Sequence, residues 1–261
     1  MTFSIDQFRL DGKVAIVTGA GGRGNSIGRA YALGLAKAGA AVVVADLNAD
    51  GADKVCEEII TEGGRAIAVG VDITKPDSVA GMVGAATDAF GGVDILVNNA
   101  ALMAELGYLP AAEIPIEKWN QIMEVNVTGA LICVQAVVPI MRTRGGGRIV
   151  NQVSAGAYPA MSIYGVSKLA LVGLTTTLAR QLGREKISVN AIAPGNTMSD
   201  AGRMLTPEDS PFVKLLEATV AMRVRGQPDE LVGPLLLLCS PAGDWITGQV
   251  VHIDGGWVLR P

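Results

Sequence analysis

Short apolar runs alternate along the chain with longer segments in which apolar residues recur every three or four positions. Seven of the short runs have the length and the β-branched content of strands. They are residues 14–18, 41–45, 66–71, 95–98, 148–153, 188–192 and 250–253. Helical spacing marks segments between them, for example 27–38, 79–90 and 167–182. This alternation predicts βαβ units, and therefore one parallel sheet of about seven strands with helices on both faces.

The sequence contains no internal repeat, low-complexity tract or Pro/Ser-rich linker. Residues 1–261 are therefore predicted to form a single α/β domain. One long interval, residues 197–227, has no strand pattern. Because an interval of that length in a compact domain usually has a function, we predict that it forms a substrate lid.

Composition and charge exclude several classes of function. A net charge of −4 gives no basic surface for nucleic acid or for an anionic membrane. The longest nearly apolar stretch, 130–141, is too short to span a bilayer, so it predicts a buried helix. The first residues lack the basic flank and apolar run of a signal peptide.

The cysteines and the single histidine indicate no metal site. Cys56, Cys133 and Cys239 are widely spaced and are interpreted as reduced, buried thiols of a cytoplasmic protein. His252 is the one histidine, so neither a His-rich metal site nor a Ser-His-Asp triad can be built without it. Its place in an apolar run predicts a structural strand residue.

A glycine-rich loop follows the first predicted strand and leads into an Ala-rich helix. It reads TGAGGRGNSIG from Thr18 to Gly28. Glycines let such a loop turn tightly and approach a pyrophosphate, whose charge is met by the amides at the helix N-terminus. Its strand-loop-helix context predicts a dinucleotide site rather than a simple tight turn.

The second predicted strand ends at Asp46, about twenty residues beyond the loop. A carboxylate there can accept hydrogen bonds from both adenosine ribose hydroxyls and repel the 2′-phosphate of NADP. Arg23, inside the loop, could instead bind that phosphate, whereas Leu47 and Asn48 add no positive charge. The sequence therefore favours NAD as the cofactor.

A candidate catalytic group follows the fifth predicted strand. Ser154 comes first, and Ser162 is placed to begin a helix that carries Tyr164 and Lys168. Residues four apart share one helical face, so the phenol and the ammonium can point into the same cleft. A free Tyr has a pKa of about 10, and adjacent positive charge favours the phenolate. This arrangement predicts a general acid/base that needs no histidine.

Along essentially its whole length the chain resembles the short-chain dehydrogenase/reductase family. The resemblance rests on several motifs in the family's order: Thr18 to Gly28, Asp72, Asn98-Asn99-Ala100, Asn126, Ser154, Tyr164 with Lys168, Pro194-Gly195, Ile246-Thr247-Gly248 and Asp254-Gly255-Gly256. It implies a Rossmann-like, doubly wound sheet, hydride transfer between NAD and a carbonyl or secondary alcohol, and a homotetramer.

The resemblance also implies roles for single residues. Tyr164 would exchange the proton, Ser154 would hold the substrate oxygen, and Lys168 would bind the nicotinamide ribose and lower the pKa of Tyr164. Asn126 would fix a water that links Lys168 to solvent. The implied cofactor-binding residues are Gly19, Gly22, Ser26, Ile27, Gly28, Asp46, Asp72, Ile73, Asn98, Ala100, Tyr164, Lys168, Pro194, Gly195, Thr197 and Ser199.

The chain departs from the family pattern in two places. The glycine-rich loop is lengthened, so Ser26 stands where the middle glycine is expected, as in enoyl-thioester reductases. The four-residue interval from Tyr164 to Lys168 argues against enoyl reduction. Ser154 precedes Tyr164 by only ten residues, which indicates a trimmed loop beside the substrate.

The candidate pocket walls are mostly apolar, which favours a hydrophobic alicyclic or aryl secondary alcohol or its ketone. Met and Leu at helical spacing, however, are more often core residues than pocket residues. The candidate wall residues are Ala101, Leu102, Met103, Ala155, Ala157, Tyr158 and Met161, with Met198, Met204, Leu205, Phe212, Leu215, Leu216 and Met222 from the lid.

Two other functions stay open on the sequence alone. A 3-oxoacyl-thioester reductase could receive an acidic carrier protein on Arg142, Arg144 and Arg148, although cations near a helix C-terminus also stabilise its dipole. A non-catalytic dinucleotide sensor would normally have lost a catalytic side chain, and none is missing.

Overall fold

The computed structural model describes residues 4–22, 24–103, 110–158 and 162–259. These residues form a seven-stranded sheet with the order β3-β2-β1-β4-β5-β6-β7, and every neighbouring pair is parallel. The strands are β1 Val14–Thr18, β2 Ala41–Asp46, β3 Arg65–Gly70, β4 Ile95–Asn98, β5 Gly147–Gln152, β6 Ile187–Pro194 and β7 Val250–Ile253. The predicted parallel sheet of about seven strands is confirmed.

Nine α-helices surround this sheet in the described part of the chain. They are α1 Ile27–Lys37, α2 Ala49–Thr61, α3 Pro76–Phe90, α4 Ile116–Met123, α5 Gly129–Thr143, α6 Ile163–Leu182, α7 Asp200–Leu205, α8 Pro211–Thr219 and α9 Val232–Cys239. Helices α1, α2 and α9 pack on one face of the sheet, and α3, α5 and α6 on the other. The doubly wound, Rossmann-like fold is therefore as predicted.

The strand order reverses at β1, whose neighbours are β2 and β4. The chain winds toward β3 on one side of β1 and toward β7 on the other, so the connections after β1 and β4 leave in opposite directions. In open α/β sheets a crevice forms at the carboxyl ends of such strands and is the usual ligand site. The residues that follow β1, β4, β5 and β6 therefore lie where a ligand is expected to bind.

One long helical segment crosses the second face of the sheet. Helices α4 and α5 join through a π-helical turn, Glu124–Thr128, into a continuous segment, Ile116–Thr143. The sequence predicted an apolar stretch too short to cross a membrane, whereas this whole segment passes that test by length and composition. Its α5 part packs Cys133, Val137 and Met141 into the core with no exposure, as the core helix of a folded domain does.

The proposed lid, residues 197–227, is an excursion whose two ends are joined. Thr197 pairs with Gly226 in an isolated parallel bridge, and the Met198 N–H donates to the Gly226 carbonyl at 2.8 Å. Between these ends lie α7 and α8, which the sequence pattern did not predict. The interval holds no strand, in agreement with its sequence pattern, and its role as a substrate lid stays a prediction.

The three cysteines are buried, and the single histidine lies in β7. Cys56, Cys133 and Cys239 are free and buried, as predicted. His252 lies in β7, where its Nδ1 is 3.4 Å from Asp254 Oδ2 and its ring is 4.9 Å from the Tyr158 ring, centroid to centroid. The predicted structural role for His252 agrees with this placement.

Candidate active site

Tyr164 and Lys168 lie on the first turns of α6. The Ser162 hydroxyl oxygen accepts the Gly165 N–H at 3.2 Å, so Ser162 is the N-cap, and the helix begins at Ile163. Lys168 is 1% exposed, and its Nζ lies 5.5 Å from the centroid of the Tyr164 ring. The helical spacing therefore brings the ammonium over the face of the phenol, as the sequence predicted.

Burial changes the proton affinity of both groups. It lowers the pKa of Lys168 to about 7, while Nζ donates one hydrogen bond, to the Gln152 carbonyl at 2.9 Å. Burial also raises the pKa of Tyr164 above its ordinary value, the opposite of the sequence expectation. The cause of this rise is the burial of the Tyr164 hydroxyl itself. The protein alone therefore keeps the phenol protonated.

Ser154 lies just beyond the carboxyl end of β5. Its Oγ accepts the Gly156 N–H at 3.1 Å and caps a short 3-10 turn, Ala155–Ala157. A hydroxyl that accepts one hydrogen bond can still donate its own proton. Ser154 is therefore fixed in orientation while it keeps a donor for a substrate oxygen.

Asn126 occupies the π-helical turn between α4 and α5 and is 1% exposed. Its Oδ1 accepts the Leu102 N–H at 2.7 Å, and its Nδ2 donates to the Leu102 carbonyl at 3.1 Å and to Ser167 Oγ at 3.0 Å. Ser167 in turn donates to the Tyr164 carbonyl at 2.7 Å. Asn126 thus ties the loop after β4 to the helix that carries Tyr164 and Lys168. Its water-fixing role stays a prediction.

The glycine-rich loop is held against the loop after β4. Thr18 Oγ1 accepts the N–H groups of Asn99 and Ala100 at 3.1 Å each, and Asn99 Nδ2 donates to the Gly19 carbonyl at 3.0 Å. Gly19 has φ +67°, and a Cβ there would be 2.7 Å from Ala100 Cα. A Cβ on Gly28 would be 2.2 Å from the Gly19 carbonyl oxygen. Only glycine fits at these two positions.

Helix α1 starts at the end of this loop. Ser26 is its N-cap, because its Oγ accepts the Arg29 N–H at 3.2 Å, and Ile27 is its first residue. Gly22 lies against this cap: a Cβ on it would be 3.0 Å from Ser26 Oγ. The first N–H groups of a helix have no intrahelical partner and carry partial positive charge. The open backbone and the helix N-terminus together fit a pyrophosphate.

Asp46 ends β2 and is tied to the loop. Its Oδ2 accepts the Gly21 N–H and its Oδ1 accepts the Asn48 N–H, each at 2.9 Å. A carboxylate has roughly four acceptor sites, so these bonds leave others for ribose hydroxyls. Gly21 and Asn48 thus aim the Asp46 carboxylate.

Two of the predicted cofactor-binding residues, Asn98 and Ile73, are buried, and one carboxylate oxygen of a third, Asp72, already accepts hydrogen bonds from Thr74. Asn98 is buried between β4 and β5, and its Nδ2 donates to Asn151 Oδ1 at 2.9 Å. Ile73 is 7% exposed and packs near Gly129 of α5. Asp72 Oδ1 accepts from the backbone N–H and the hydroxyl of Thr74, which lowers the pKa of Asp72. Asn98 and Ile73 therefore brace the site from the core.

The carboxyl end of β6 forms the remaining wall. After Pro194, the Gly195 N–H donates to the Ile253 carbonyl at 3.0 Å, and a Cβ on Gly195 would be 2.6 Å from Asp254 Cα. Thr197 Oγ1 donates to the Gly195 carbonyl at 3.2 Å, so its own lone pairs remain acceptors. Ser199 Oγ is used as the N-cap of α7, where it accepts the Gly202 N–H at 3.1 Å. Of these two hydroxyls, that of Thr197 is therefore the better acceptor for the N–H of a nicotinamide carboxamide group.

The predicted pocket walls divide into core, half-buried and exposed positions, and the half-buried ones are Leu102, Met103, Tyr158 and Met198. Ala155 and Ala157 have no exposure, and Leu216 is 5% exposed, so these three belong to the packed interior. The lid residues Met204, Leu205, Leu215 and Met222 are instead 40% to 68% exposed. Arg23, Met161 and the side chain of Phe212 lie outside the described residues.

Three residues that hold the site together were not among the predicted site residues. Thr18, Gly21 and Asn99 make the bonds that shape the loop and aim Asp46. Thr18 and Asn99 belong to the sequence motifs quoted above, so a signal for them existed. Gly21 gave none beyond its place among other glycines, because its role depends on the distant Asp46.

Comparisons with known proteins give relatives over nearly the whole chain. Residues 22–258 match the family described as enoyl-(acyl carrier protein) reductase. An uncharacterized oxidoreductase of Mycobacterium tuberculosis is 46% identical over 96% of this chain and 99% of its own length. The 7alpha-hydroxysteroid dehydrogenase of Escherichia coli K12 is 40% identical, with 98% of each chain covered. A 3-oxoacyl-[acyl-carrier-protein] reductase of Synechocystis is 36% identical over 96% of this chain and 98% of its own.

Solved structures give the same result. A 7alpha-hydroxysteroid dehydrogenase complexed with NADH and 7-oxo glycochenodeoxycholic acid superposes with a TM-score of 0.91, at 38% identity and 99% coverage of both chains. A gluconate 5-dehydrogenase of Burkholderia cenocepacia in complex with NADP and tartrate has a TM-score of 0.89, at 34% identity and 97% coverage of both. Fold, site and relatives agree: the chain belongs to the short-chain dehydrogenase/reductase family of oxidoreductases, which bind a nicotinamide dinucleotide.

Proposed function

We propose that this chain is an NAD-dependent dehydrogenase that interconverts a hydrophobic alicyclic or aryl secondary alcohol and its ketone. The observation that carries the substrate class is the lid, where four large apolar side chains, on Met204, Leu205, Leu215 and Met222, are 40% to 68% exposed. Exposed apolar side chains concentrated in one segment are typical of a surface that binds an apolar ligand. The relative that acts on a hydroxysteroid, an alicyclic alcohol, supports the same class.

The chemistry proposed for the site needs one proton acceptor and one oxygen holder. In the oxidation direction the alcohol C–H bond breaks and its hydride goes to the nicotinamide, which supplies the two-electron acceptor when bound. Ser154 donates to the substrate oxygen, and Tyr164 takes the hydroxyl proton as the carbonyl forms. Lys168, whose Nζ donates to the Gln152 carbonyl and lies 5.5 Å from the centroid of the Tyr164 ring, stabilises the phenolate when Lys168 is charged.

The cofactor preference rests on Asp46. Its carboxylate is aimed by the Gly21 and Asn48 N–H groups, where it can accept from ribose hydroxyls and repel a 2′-phosphate. Similar solved structures include one with NADH and two with NADP, so the preference is our own proposal.

Substitution of Asp46 tests this preference. Asp46→Ala is expected to lower kcat/KM for NAD by about tenfold or more and to raise it for NADP, because one ion-dipole bond and one repulsion are removed. Asp46→Asn is the matched control, since it removes the charge but keeps an acceptor oxygen for one of the two loop amides. Steady-state kinetics with both dinucleotides decides, and a wild-type preference for NADP would show that the assignment is wrong.

A 3-oxoacyl-thioester reductase is the second candidate, favoured by the Synechocystis relative. The basic residues that the sequence offered for a carrier protein do not support it. Arg142 pairs with Glu185, Arg144 with Asp94 and Arg148 with Asp244. All three cations also lie near the amino end of β5, whereas Ser154 lies beyond its carboxyl end. Six strand residues, or roughly 20 Å, separate the two edges.

A non-catalytic sensor is the least favoured function. A protein that only binds the dinucleotide has no need of a lysine buried over a tyrosine. Burying Lys168 destabilises the folded protein, and a catalytic role would explain why a lysine is present there. The homotetramer and the cytoplasmic location remain proposals from the family resemblance and from the three free, buried cysteines.

A substrate panel tests the function directly. NADH formation is measured with cyclic alcohols, aryl alcohols, dihydrodiols and polycyclic alcohols, and NADH consumption with a carrier-bound 3-oxoacyl thioester. We expect kcat/KM to rise with the apolar area of the alcohol, since each buried methylene contributes about 0.8 kcal/mol, roughly a fourfold change. A thioester that exceeds every alcohol would establish the second candidate instead.

A further inference from the structure

The lengthened glycine-rich loop makes direct hydrogen bonds with the start of the lid. The Asn25 side chain donates from Nδ2 to the Met198 carbonyl at 3.0 Å. The Asn25 N–H donates to Asp200 Oδ2 at 3.1 Å, and the Asp200 N–H donates to the Asn25 carbonyl at 3.1 Å. Asn25 is thus joined by three hydrogen bonds to residues 173 and 175 positions away, and the two bonds with Asp200 are reciprocal.

The neighbouring residues leave Asn25 and Asp200 available for this contact. Ser26 caps α1 and Ser199 caps α7, so neither Asn25 nor Asp200 is needed as a helix cap. Gly24 has φ +47°, and a Cβ on it would be 2.6 Å from Asp200 Oδ2. Gly24 is therefore a point at which the loop lies against Asp200, and a larger residue would not fit there.

The contact joins two parts of the site with different tasks. The loop reaches the N-terminus of α1, where the family binds the dinucleotide pyrophosphate. The lid carries the exposed apolar residues proposed to meet the substrate, and α7, the first element in it, begins at Asp200. If a bound pyrophosphate orders the loop, the loop will in turn restrain the start of the lid, to which it is hydrogen-bonded.

We propose that Asn25 and Asp200 are positioning residues that latch the lid to the dinucleotide loop, so that dinucleotide binding orders the lid before the alcohol binds. Neither residue touches the reacting atoms. The inference rests on dinucleotide binding at the loop, and not on the identity of the alcohol. Two sites are coupled in this way when a ligand at one changes the equilibrium of the element at the other.

Amide hydrogen exchange of residues 198–205 tests the latch without any alcohol present. In the wild type, saturating NAD is expected to slow exchange there by about fivefold or more, the lower range of ordinary coupling. In Asn25→Ala, Asp200→Ala and the double variant, the same saturating NAD should slow it less than about twofold. If NAD does not saturate the wild type, NADP replaces it, so an error in the proposed cofactor is seen separately.

Two matched variants show whether the contact itself is responsible. Asp200→Asn keeps an acceptor oxygen for the Asn25 N–H and should retain most of the wild-type slowing. Asp209→Ala removes another exposed carboxylate of the same lid and should behave as the wild type. Asn25→Ala removes only the Nδ2 bond to Met198, and Asp200→Ala removes only the Oδ2 bond to the Asn25 N–H, so the double variant should lose at least as much of the slowing as either single variant.

Kinetics supply a second readout. The latch variants should raise KM for the best alcohol of the panel by about fivefold while kcat changes less than twofold, because the reacting groups are unchanged. The inference is overturned if NAD slows exchange of 198–205 equally in the wild type and the double variant, if it slows it in neither, or if Asp209→Ala matches Asp200→Ala.

Discussion

Lys168 is the residue whose surroundings most clearly favour function over stability. It is 1% exposed, donates one hydrogen bond to a carbonyl, and lies over an aromatic face. Burial lowers its pKa to about 7, so a charge at that position is unfavourable in the folded protein. A residue retained at such a position stabilises something other than the fold, and the proposed recipient is the charge that forms on Tyr164.

Lys168→Met should therefore stabilise the cofactor-free protein, and the effect should depend on pH. The folded pKa of Lys168, about 7, is below the unfolded value of 10.5. The unfolded chain binds the extra proton between these values, so wild-type stability rises with pH there. We expect Met to add a few kcal/mol to the free energy of unfolding at pH 6, falling toward zero near pH 10.

Urea unfolding of the two proteins at several pH values measures this difference. Lys168→Arg is the control, because it keeps a buried charge that does not titrate in this range. A Met variant that is less stable than the wild type at pH 6 would contradict the account of Lys168.

At the scale of elements, strands and helix starts were the most predictable features. All seven strands agree with the predicted runs within two residues, since a buried parallel strand needs a continuous apolar run. Helix α6 begins one residue after Ser162, because that serine caps it. Local chemistry decides such features, and a sequence shows local chemistry.

Elements that depend on distant contacts were not predictable. The π-helical turn at Glu124–Thr128 is stabilised by bonds from Asn126 to Leu102 and Ser167, which no local pattern indicates. The inward direction of Asn98 depends on Asn151 in the neighbouring strand. Helices α7 and α8 are short, and a short helix gives a weak periodic signal.

Asn126→Ala tests the π-helical turn. It removes the partners of the Leu102 N–H and of Ser167, and an unsatisfied buried group costs about 1–3 kcal/mol. We expect the free energy of unfolding to fall by about 2–4 kcal/mol and kcat to fall with it. Ser167→Ala, which removes one side of this network, should cost less. An Asn126→Ala protein within about 0.5 kcal/mol of the wild type would show that the turn does not need this residue.

At the scale of the whole molecule, the two edges of the sheet have different tasks. The carboxyl edge holds Ser154, Tyr164 and the glycine-rich loop. At the amino edge, Arg144 donates from Nε and Nη2 to the two oxygens of Asp94, at 2.9 and 2.8 Å. Asp94 also accepts the Val14 N–H at 2.9 Å and is 6% exposed. The amino edge is therefore a structural anchor for β1 and β4.

Arg144→Gln should destabilise the fold by about 1–3 kcal/mol, because it leaves the buried Asp94 without its bidentate partner. Arg142→Gln is the matched control: its pair with Glu185 has an arginine side chain that is 52% exposed, and such pairs contribute about 0–1 kcal/mol. Neither change should alter kcat/KM for an alcohol or for a carrier-bound thioester. Loss of thioester activity alone in these variants would instead support carrier docking at this edge.

The central claim is that Tyr164 moves the proton in a hydride transfer at this site. Tyr164→Phe removes only the phenol oxygen, so NADH should bind with an unchanged Kd. Turnover of the best alcohol should fall by about 10²- to 10⁴-fold, the usual contribution of a general acid/base. NADH titration and NAD-coupled turnover of the two proteins, side by side, give both numbers. Unchanged binding with lost turnover is the predicted result, and turnover within about threefold of the wild type would contradict the account.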